Sequence, residues 1–311
     1  MGIRLDTSLS WENLFRVKKN LFRKEKPVDA APTPDSVHLS PRVSSPLPVL
    51  SAASFSFPFS RPGLAVALDL PDLDDAVAMG KRLAPHVDMF KVGLELVTRF
   101  GPQAFARVGE ETGKPIFADL KLHDIPRTVE AALSNLLFPC VRLVTIHIAG
   151  GRDMAEAALL GASIAADRHG GERAGVLGIT VLTSLDVPAL REVGIERTPL
   201  DVIRDRLHVA REVGLDGAVC SVADLELARS FAGEMLLVTP GIRSVPLATP
   251  PQSGSVPSFK NDQRRIGTVE DAIENGSGLL VVGRPVLFAP DPEAAAREIH
   301  ALLVARSAIA G

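Results

Sequence analysis

The sequence predicts a (β/α)₈ barrel, and three observations support this prediction. Short apolar runs alternate with Ala-, Leu- and Glu-rich stretches from Gly63 onward. Eight such runs are present, and seven of them end in Gly, Asp, Thr or Ser. Roughly 250 residues is a typical length for eight β/α units. A doubly wound sheet is the alternative, but no GxGxxG follows the first run and no GxxxxGKS/T occurs in the sequence.

The eight predicted strands are short and apolar. In chain order they read LAVALD, VDMFKVG, PIFADLKL, VRLVTIHIAG, AGVLGITVLT, DGAVCS, MLLVTPG and GLLVVG. The segments between them have the composition of helices, so a helix is expected after each strand. The barrel domain is predicted to span residues 63–311.

Residues 1–62 differ in composition from the rest of the chain and are predicted to be a disordered or partly helical extension. The stretch before Gly63 is rich in Pro and Ser and has no steady period. Nearer the start, SWENLFRVKKNLFRKEK places apolar residues at roughly helical spacing between Lys and Arg, which favours a basic amphipathic helix. A membrane-surface or targeting role is one interpretation, and an extension without a catalytic role is the preferred one.

Composition indicates a soluble cytoplasmic protein with a large core. Of the 311 residues, 46% are hydrophobic and 23% are charged, and the mean hydropathy is +0.19. The formal net charge is −3, without a basic stripe, so nucleic acid is not an expected partner. No apolar run approaches the roughly 20 residues that span a bilayer, so no membrane association of the barrel is expected. The two cysteines, Cys140 and Cys220, are predicted to be reduced.

The third predicted strand ends in charged residues, in the stretch FADLKLHDIP (117–126). Side chains alternate between the faces of a strand, so Phe117, Asp119 and Lys121 are expected to point into the barrel. Leu120 and its alternate neighbours are expected to face the helices. Because catalytic residues of such barrels lie at the carboxyl ends of the strands, Asp119, Lys121 and the following Asp124 are candidate catalytic residues.

Two other predicted strands also carry a charge at their carboxyl ends. Asp69 ends the first strand, and Lys91 lies in the second where an apolar residue would be expected. Opposite charges at short range keep one another ionised, so Asp69, Lys91, Asp119 and Lys121 are predicted to form an alternating array. An ion-pair network with only a structural role is the alternative.

The segments after the last two predicted strands favour a phosphate site. VTPGIR and VVGRP each place an arginine, Arg243 or Arg284, beside a glycine. Barrels often bind phosphate with these two loops, and an arginine can bind phosphate through two parallel hydrogen bonds. A phosphorylated ligand is therefore predicted to lie across the barrel mouth with its other end near Asp119 and Lys121.

The remaining candidates are weaker. His147 ends the fourth predicted strand and could be catalytic or a hydrogen-bonded core residue, whereas His123 is expected to be structural. The histidines lack metal-ligand spacing, so no metal site is predicted. Cys220 lacks a base nearby in sequence, so a nucleophilic role is not expected.

The ordered motifs ALDL, KVG, FADLKLHDIPRTV, IHIAGG, ITVLTS, DGAVCS, VTPGIR, NDQRRI and VVGRP strongly resemble the orotidine 5′-phosphate decarboxylase family. The resemblance covers the chain from about Gly63 to its end. Related sugar-phosphate decarboxylases share the D-x-K-x-x-D element, but an acidic metal-binding residue is expected in them where this chain has Lys91. The lysine favours the metal-free orotidylate enzymes.

This resemblance implies that the protein converts orotidine 5′-monophosphate to UMP and CO₂, the last step of de novo UMP synthesis, as a homodimer without a cofactor. It implies catalytic roles for Lys121 as the proton donor, for Asp119 beside the leaving carboxylate and for Lys91, which would hold the ribose and the charge network. It also implies that Asp124, with Ile125 and Thr128, reaches into the partner's site. The implied substrate contacts are Asp69 at the ribose, Thr183 and Ser184 at the base, Pro240 in the pocket wall, and Arg243, Gln263, Gly283 and Arg284 at the phosphate.

One segment departs from the family's pattern. A Pro- and Ser-rich insertion lies between Arg243 and Gln263, at about residues 244–262, and favours a mobile lid. Gln263 fits the phosphate role by its motif, but Gln252 lies at a spacing from Arg243 closer to that of the family. Two other functions stay open, a Mg²⁺-dependent sugar-phosphate decarboxylase or aldolase of the same superfamily and a nucleotide-phosphate-binding barrel without activity.

Overall fold

The computed structural model describes Phe55, Phe57 and residues 61–244 and 266–310. The predictions for most of the N-terminal extension, for Gln252 and Gln263, and for the insertion between residues 244 and 262 fall almost entirely outside these described residues. Within them, no helix is both long enough and apolar enough to cross a membrane.

Eight parallel strands form a closed barrel, and they coincide with the eight predicted from the sequence. Numbered in chain order, the barrel strands are β1 (Gly63–Ala67), β2 (Met89–Gly93), β3 (Ile116–Leu122), β4 (Val141–His147), β5 (Gly175–Ile179), β6 (Gly217–Val219), β7 (Leu236–Thr239) and β10 (Leu279–Val282). Neighbours in sequence are neighbours in the barrel, and β1 pairs with β10 to close it. The predicted (β/α)₈ barrel is confirmed.

Two further strands were not predicted. β8 (Ile242–Ser244) and β9 (Gly267–Thr268) pair in parallel outside the barrel. They lie on either side of residues 245–265, which are outside the described part of the chain, and Gly267 pairs with Ile242, the neighbour of Arg243. Strands of two or three residues have no periodic pattern, which is why the sequence did not indicate them.

Helices follow the barrel strands and cover them. They are α1 (Leu73–Leu83), α2 (Leu94–Phe100), α3 (Gln103–Thr112), α4 (Pro126–Leu136), α5 (Gly151–His169), α6 (Val187–Glu192), α7 (Pro199–Val213), α8 (Leu225–Ala232), α9 (Val269–Glu274), α10 (Arg284–Leu287) and α11 (Pro292–Ala310). Local signals set several of their ends. Asp72 and Thr198 accept hydrogen bonds from main-chain N–H groups at the starts of α1 and α7.

The buried apolar side chains form two layers. The outer layer lies between strands and helices and includes Ala118 and Leu120 of β3. The inner layer fills the barrel and includes Phe117 together with Met89, Leu143 and other residues of the strands' inner faces. The predicted alternation of Phe117 and Leu120 is therefore confirmed. This alternation directs the side chains of Asp119 and Lys121 to the inner side of the barrel.

Two phenylalanines that precede β1 pack against the inner layer. Phe55 and Phe57 contact it at the amino-terminal end of the barrel. Gly175, the first residue of β5, leaves space for them, because a Cβ atom there would lie 2.8 Å from the Phe55 ring. The end of the barrel opposite the charged strand ends is thus filled by apolar packing.

The close packing of α4 on α5 gives a test of the fold. A Cβ atom at Gly161 of α5 would lie 2.4 Å from the main-chain oxygen of Glu130 in α4. Because a main-chain atom cannot rotate away, Gly161→Ala is expected to lower the free energy of unfolding by about 1 to 3 kcal/mol. Thermal or urea denaturation measures this change.

Gly171→Ala is the matched control, since no atom lies within 4 Å of a Cβ atom built at Gly171. It is expected to leave the unfolding midpoint close to that of the wild type. Equal stability of Gly161→Ala and the wild type would contradict the close approach of α4 and α5.

Candidate active site

A cavity of about 670 Å³ opens at the carboxyl ends of the barrel strands. It contains both the charged strand ends and the two arginines that the sequence singled out. The predicted site residues that line it are Asp69, Lys91, Asp119, Lys121, Thr183, Pro240, Arg243, Gly283 and Arg284. The barrel therefore brings together residues that lie more than 200 positions apart in the sequence.

Four of these side chains form a row of alternating charge. Lys91 Nζ donates a hydrogen bond to Asp69 Oδ1 at 2.9 Å and lies 3.5 Å from Asp119 Oδ2. Lys121 Nζ donates to the same Asp119 oxygen at 2.7 Å. The order Asp69, Lys91, Asp119, Lys121 is the alternating array that the sequence predicted.

The middle of this row is desolvated, and its charges are held by their neighbours. The side chains of Lys91 and Asp119 are only 11% and 12% exposed. Burial alone would lower the pKa of Lys91, but the attraction of Asp119 and Asp69 outweighs it, so the pKa of Lys91 is raised. Burial likewise opposes ionisation of Asp119, but Lys91 and Lys121 outweigh it and lower its pKa. Both groups are therefore ionised at neutral pH.

A bulge in β3 places Lys121 in the row. Ala118 pairs with Val144 of β4, and the next registered pair is Leu122 with Ile146, so three residues of β3 lie opposite the single residue Thr145. Lys121 has a φ of +50°, in the left-handed region that residues other than glycine rarely adopt. The Lys121 N–H donates to Thr145 Oγ1 at 2.9 Å.

The second strand supplies Lys91 and the space that it occupies. Lys91 lies in β2, where every residue is buried. A Cβ atom at Gly93, two residues later, would lie 3.2 Å from Lys91 Nζ and 3.6 Å from Asp69 Oδ1. Since Gly93 has no side chain, the ammonium of Lys91 can reach both carboxylates.

Two arginines that follow the last two barrel strands carry positive charge into the cavity. Arg243 lies in β8 and Arg284 begins α10, and both line the cavity. Gly241, between Pro240 and Arg243, has a φ of +86°, a conformation that glycine adopts without steric cost. A Cβ atom at Gly283, next to Arg284, would lie 3.8 Å from Asp69 Oδ2, so the arginines border the Asp69 end of the charged row. The arrangement is suited to binding an anionic group, as the sequence predicted.

Much of the remaining cavity wall is apolar. It includes Ile179, Val219, Val238 and Val281 from the inner faces of four strands. Cys220 also lines the cavity and is only 1% exposed. A ligand that fits the cavity is therefore expected to combine a flat or apolar body with charged ends.

Four predicted site residues that the structure describes do not line the cavity. Asp124, Ile125 and Thr128 follow β3 on the surface, and Ile125 is 66% exposed. Asp124 accepts a hydrogen bond from the Ile125 N–H at 2.6 Å. Ser184 is also exposed, next to Thr183 of the cavity wall. Asp69 lies two residues beyond β1, which ends at Ala67, and not at the end of the strand as predicted. Of the three candidate carboxylates, Asp69 and Asp119 contact the lysines within a single chain, and Asp124 does not line the cavity.

The two histidines of interest lie beside each other, near the cavity but outside its described lining. The rings of His123 and His147 are 5.4 Å apart. Burial, reinforced by His123 and Arg206, lowers the pKa of His147 to about 4, so its imidazole is neutral at pH 7. Among the described residues, no group of three His, Cys, Asp or Glu side chains could hold a metal ion.

Cys140 and Cys220 are both thiols and not parts of a disulfide. Cys140 is half-buried, and burial raises its pKa to about 11, so this thiol is protonated at neutral pH. Cys220 is buried in the cavity wall. Neither cysteine is bridged.

Sequence reasoning missed Thr145. Its side chain is fully buried, and its hydroxyl donates a hydrogen bond to Asp119 Oδ1 at 3.0 Å. A signal was present, because Thr145 alternates with Leu143, which faces the barrel interior. A threonine in the run VRLVTIHI therefore had to point toward the charged residues of β3.

Replacing Lys91 with Met is expected to raise the pKa of Asp119. Burial favours the neutral acid, and the positive charge of Lys91 is the largest of the interactions that favour the carboxylate instead. With Lys91 gone, only Lys121 and Thr145 favour the carboxylate. Carboxyl ¹³C NMR of aspartate-labelled protein, followed from pH 2 to pH 8, measures the change.

The control for this measurement is Lys81→Met, which removes a surface lysine paired with Glu111. It is expected to leave the Asp119 titration unchanged. An Asp119 titration that is the same in Lys91→Met and in the wild type would contradict the proposed coupling within the row.

Comparisons with known proteins agree on one family. A model of the "Orotidine 5′-phosphate decarboxylase / HUMPS family" matches residues 62–299. The chain is 42% identical over 240 residues to an orotidine 5′-phosphate decarboxylase of Moorella thermoacetica, covering 76% of this chain and 90% of that protein. It is 40% identical to one of Anaeromyxobacter sp. (strain K), covering 76% and 96%.

Solved structures give the same result. The orotidine 5′-phosphate decarboxylase of Lactobacillus acidophilus matches with a TM-score of 0.64 and 31% identity, covering 77% of this chain and 97% of that chain. An enzyme of Methanocaldococcus jannaschii, at 21% identity and a TM-score of 0.59, shares the fold. On the family match over most of the barrel and the identity to these relatives, the chain belongs to the orotidine 5′-phosphate decarboxylase / HUMPS family.

Proposed function

We infer that the protein is an orotidine 5′-phosphate decarboxylase, which converts orotidine 5′-monophosphate to UMP and CO₂ in the last step of de novo UMP synthesis. The observation that carries this inference is the row of Asp69, Lys91, Asp119 and Lys121 in one cavity with two arginines. Relatives about 40% identical over most of the chain bear this name. We assign the activity to residues 63–311 and leave residues 1–62 outside it.

The reaction requires stabilisation of negative charge on carbon. When the bond between C6 and the carboxylate breaks, CO₂ leaves and the electron pair stays on C6 of the pyrimidine. Preorganised cations stabilise such charge most effectively in a site that excludes water. Lys91 and Lys121 supply two fixed positive charges in the cavity.

Lys121 is proposed as the proton donor. Its Nζ belongs to the row but its side chain is 34% exposed, the more open of the two lysines. The proton passes from Nζ to C6 as the carbanion forms, which yields UMP and a neutral amine. Solvent then returns a proton to the amine. A donor held at hydrogen-bonding distance from the reacting atom is what general acid catalysis requires.

Asp119 is proposed to lie beside the substrate carboxylate. It is ionised, because its lysine neighbours lower its pKa despite burial. Its charge therefore repels the carboxylate until CO₂ has left, while it also fixes both ammonium groups. Lys91 holds the network together and, with Asp69, is proposed to contact the ribose.

The phosphate is proposed to bind at Arg243, Gly283 and Arg284, with Pro240 in the wall. Arg284 is well suited to this because its guanidinium can donate two parallel hydrogen bonds to phosphate. Gln263 or Gln252, both outside the described residues, would complete this region. Thr183 and Ser184 are proposed to lie near the base. Binding energy at the phosphate would then help to align the base with Lys121.

We propose that the working form is a homodimer in which each site receives residues from the other subunit. The support is the exposure of Asp124, Ile125 and Thr128 directly after the charged strand. Ile125 in particular is a large apolar residue that is 66% exposed in the single chain and that a partner subunit would cover. We place the protein in the cytoplasm, since its free thiols fit a reducing compartment.

The first test of the activity is a Lys121→Ala variant. Purified protein is mixed with orotidine 5′-monophosphate in EDTA, and the loss of ultraviolet absorbance is followed. The wild type is expected to turn over the substrate unaffected by EDTA, and the variant to lose at least about 1,000-fold in kcat, because proton donation and charge stabilisation disappear together.

Lys114→Ala is the matched control, because Lys114 lies just before the other end of the same strand. It is expected to retain wild-type turnover. Near-normal activity of Lys121→Ala would remove Lys121 as proton donor, and dependence of the wild type on a divalent cation would favour the sugar-phosphate branch of the superfamily.

A second test addresses the shared site. Asp124→Ala is expected to be inactive, like Lys121→Ala, but a mixture of the two that has been dissociated and reassociated is expected to regain about one quarter of wild-type activity. Half of the dimers are then hybrids, and one of the two sites in each hybrid has an intact Lys121 and an intact Asp124. A mixture that stays inactive although hybrid dimers are present would place Asp124 in the site of its own subunit.

A further inference from the structure

We propose that Thr145 is a positioning residue for the decarboxylation site, whose single hydroxyl fixes the Asp119 carboxylate and the Lys121 main chain relative to one another. Its catalytic consequence rests on the function proposed above. Its structural content does not, because it concerns only the geometry of β3 and β4.

The bulge of β3 is the first observation. Between the registered pairs Ala118 with Val144 and Leu122 with Ile146, the N–H of Lys121 has no place in the regular ladder of main-chain hydrogen bonds. It donates instead to Thr145 Oγ1 at 2.9 Å. A side chain of β4 thus takes the place of a main-chain acceptor at the point where the catalytic lysine leaves the strand.

The hydroxyl proton is the second observation. Since Thr145 Oγ1 accepts from the Lys121 N–H, its own hydrogen is directed to its other partner, Asp119 Oδ1, at 3.0 Å. With Oδ1 engaged, the other oxygen, Oδ2, faces both lysines, 2.7 Å from Lys121 Nζ and 3.5 Å from Lys91 Nζ. The hydroxyl therefore sets the rotation of the carboxylate that the two ammonium groups share.

Backbone strain is the third observation. A lysine at a φ of +50° persists only where surrounding interactions determine it, and such residues cluster at functional sites. Thr145 is fully buried, so its hydroxyl keeps one orientation and water does not compete for it. Loss of the hydroxyl would release the lysine main chain and the carboxylate together.

The rival explanation is that the hydroxyl only satisfies buried polar groups and contributes stability. Thr180, at the end of β5, separates the two explanations. It is equally buried, and its hydroxyl donates to the main-chain oxygen of Val219 at 2.8 Å without contacting the charged row. Thr180→Val thus loses a comparable hydrogen bond without affecting Asp119 or Lys121.

The kinetic experiment compares Thr145→Val, Thr145→Ser and Thr180→Val with orotidine 5′-monophosphate as substrate. Thr145→Val is expected to lower kcat by about 10- to 100-fold with KM within about twofold, because small misplacements of a reacting group cost this much. Thr145→Ser keeps the hydroxyl and is expected to stay within about threefold of wild-type kcat. Thr180→Val is expected to retain wild-type kcat.

A measurement independent of turnover accompanies it. Carboxyl ¹³C NMR is expected to show a higher pKa for Asp119 in Thr145→Val than in the wild type, because the carboxylate has lost a hydrogen-bond donor. Thr145→Ser and Thr180→Val are expected to leave the Asp119 titration unchanged. If the wild type does not decarboxylate the substrate, the proposed function fails, while this titration still decides the positioning role.

Two results would overturn the proposal. One is a Thr145→Val protein with an unchanged Asp119 titration. The other is an equal loss of kcat in Thr145→Val and Thr180→Val, which would mean that any buried hydroxyl in this region contributes in the same way. If Thr145→Val does not fold, Thr145→Ala provides the same comparison, since it also lacks the hydroxyl and introduces no additional methyl group.

Discussion

The rest of the site depends on the ion pairs of one buried carboxylate, Asp119, with Lys91 and Lys121. An isolated charge so little exposed would be neutralised, because removal from water favours the uncharged form. Here each charge is kept by its neighbours, so the pKa of Asp119 is lowered and that of Lys91 is raised. The row is therefore a single electrostatic unit. Buried ion pairs add little to stability compared with apolar packing, so their presence in a barrel mouth favours a functional explanation.

The barrel determines where this unit can form. Seven of the eight strand pairs in the barrel have no shift in register, whereas the pair of β3 with β4 has two, one of them across Asp119 and Lys121. A regular strand would point Lys121 correctly but would keep its main chain in the ladder. The bulge, the left-handed Lys121 and the close approach allowed by Gly93 bring three strands' side chains within hydrogen-bonding distance. The larger of the two shifts, between Ala118 and Leu122, therefore lies in the region that carries the charges.

The contrast between the regular strands and the irregular pairing of β3 with β4 explains what the sequence could predict. Apolar runs and two-residue alternation predicted all eight barrel strands and the inward direction of Asp119 and Lys121, because burial on one face depends only on local pattern. The bulge could not be predicted, because the register of β3 against β4 depends on how the two strands pair and not on the sequence pattern of either strand alone. Thr145 was overlooked for the same reason, although its face was predictable. Asp124 looked equivalent to Asp119 in sequence, but it lies past the end of β3 on the surface.

The same geometry bears on how the proposed reaction would gain its rate. The substrate carboxylate would favour protonation of Asp119 when it approaches. Asp119 stays ionised only if its neighbours stabilise its negative charge by more than the substrate carboxylate destabilises it. The ammonium groups of Lys91 and Lys121 and the hydroxyl of Thr145 provide this stabilisation from fixed positions on β2, β3 and β4. When CO₂ departs, the repulsion ends, but both ammonium groups remain where the new negative charge develops. Because these groups are fixed by the barrel and not by solvent, little reorganisation is needed at that moment, which is the condition under which electrostatic stabilisation is most effective.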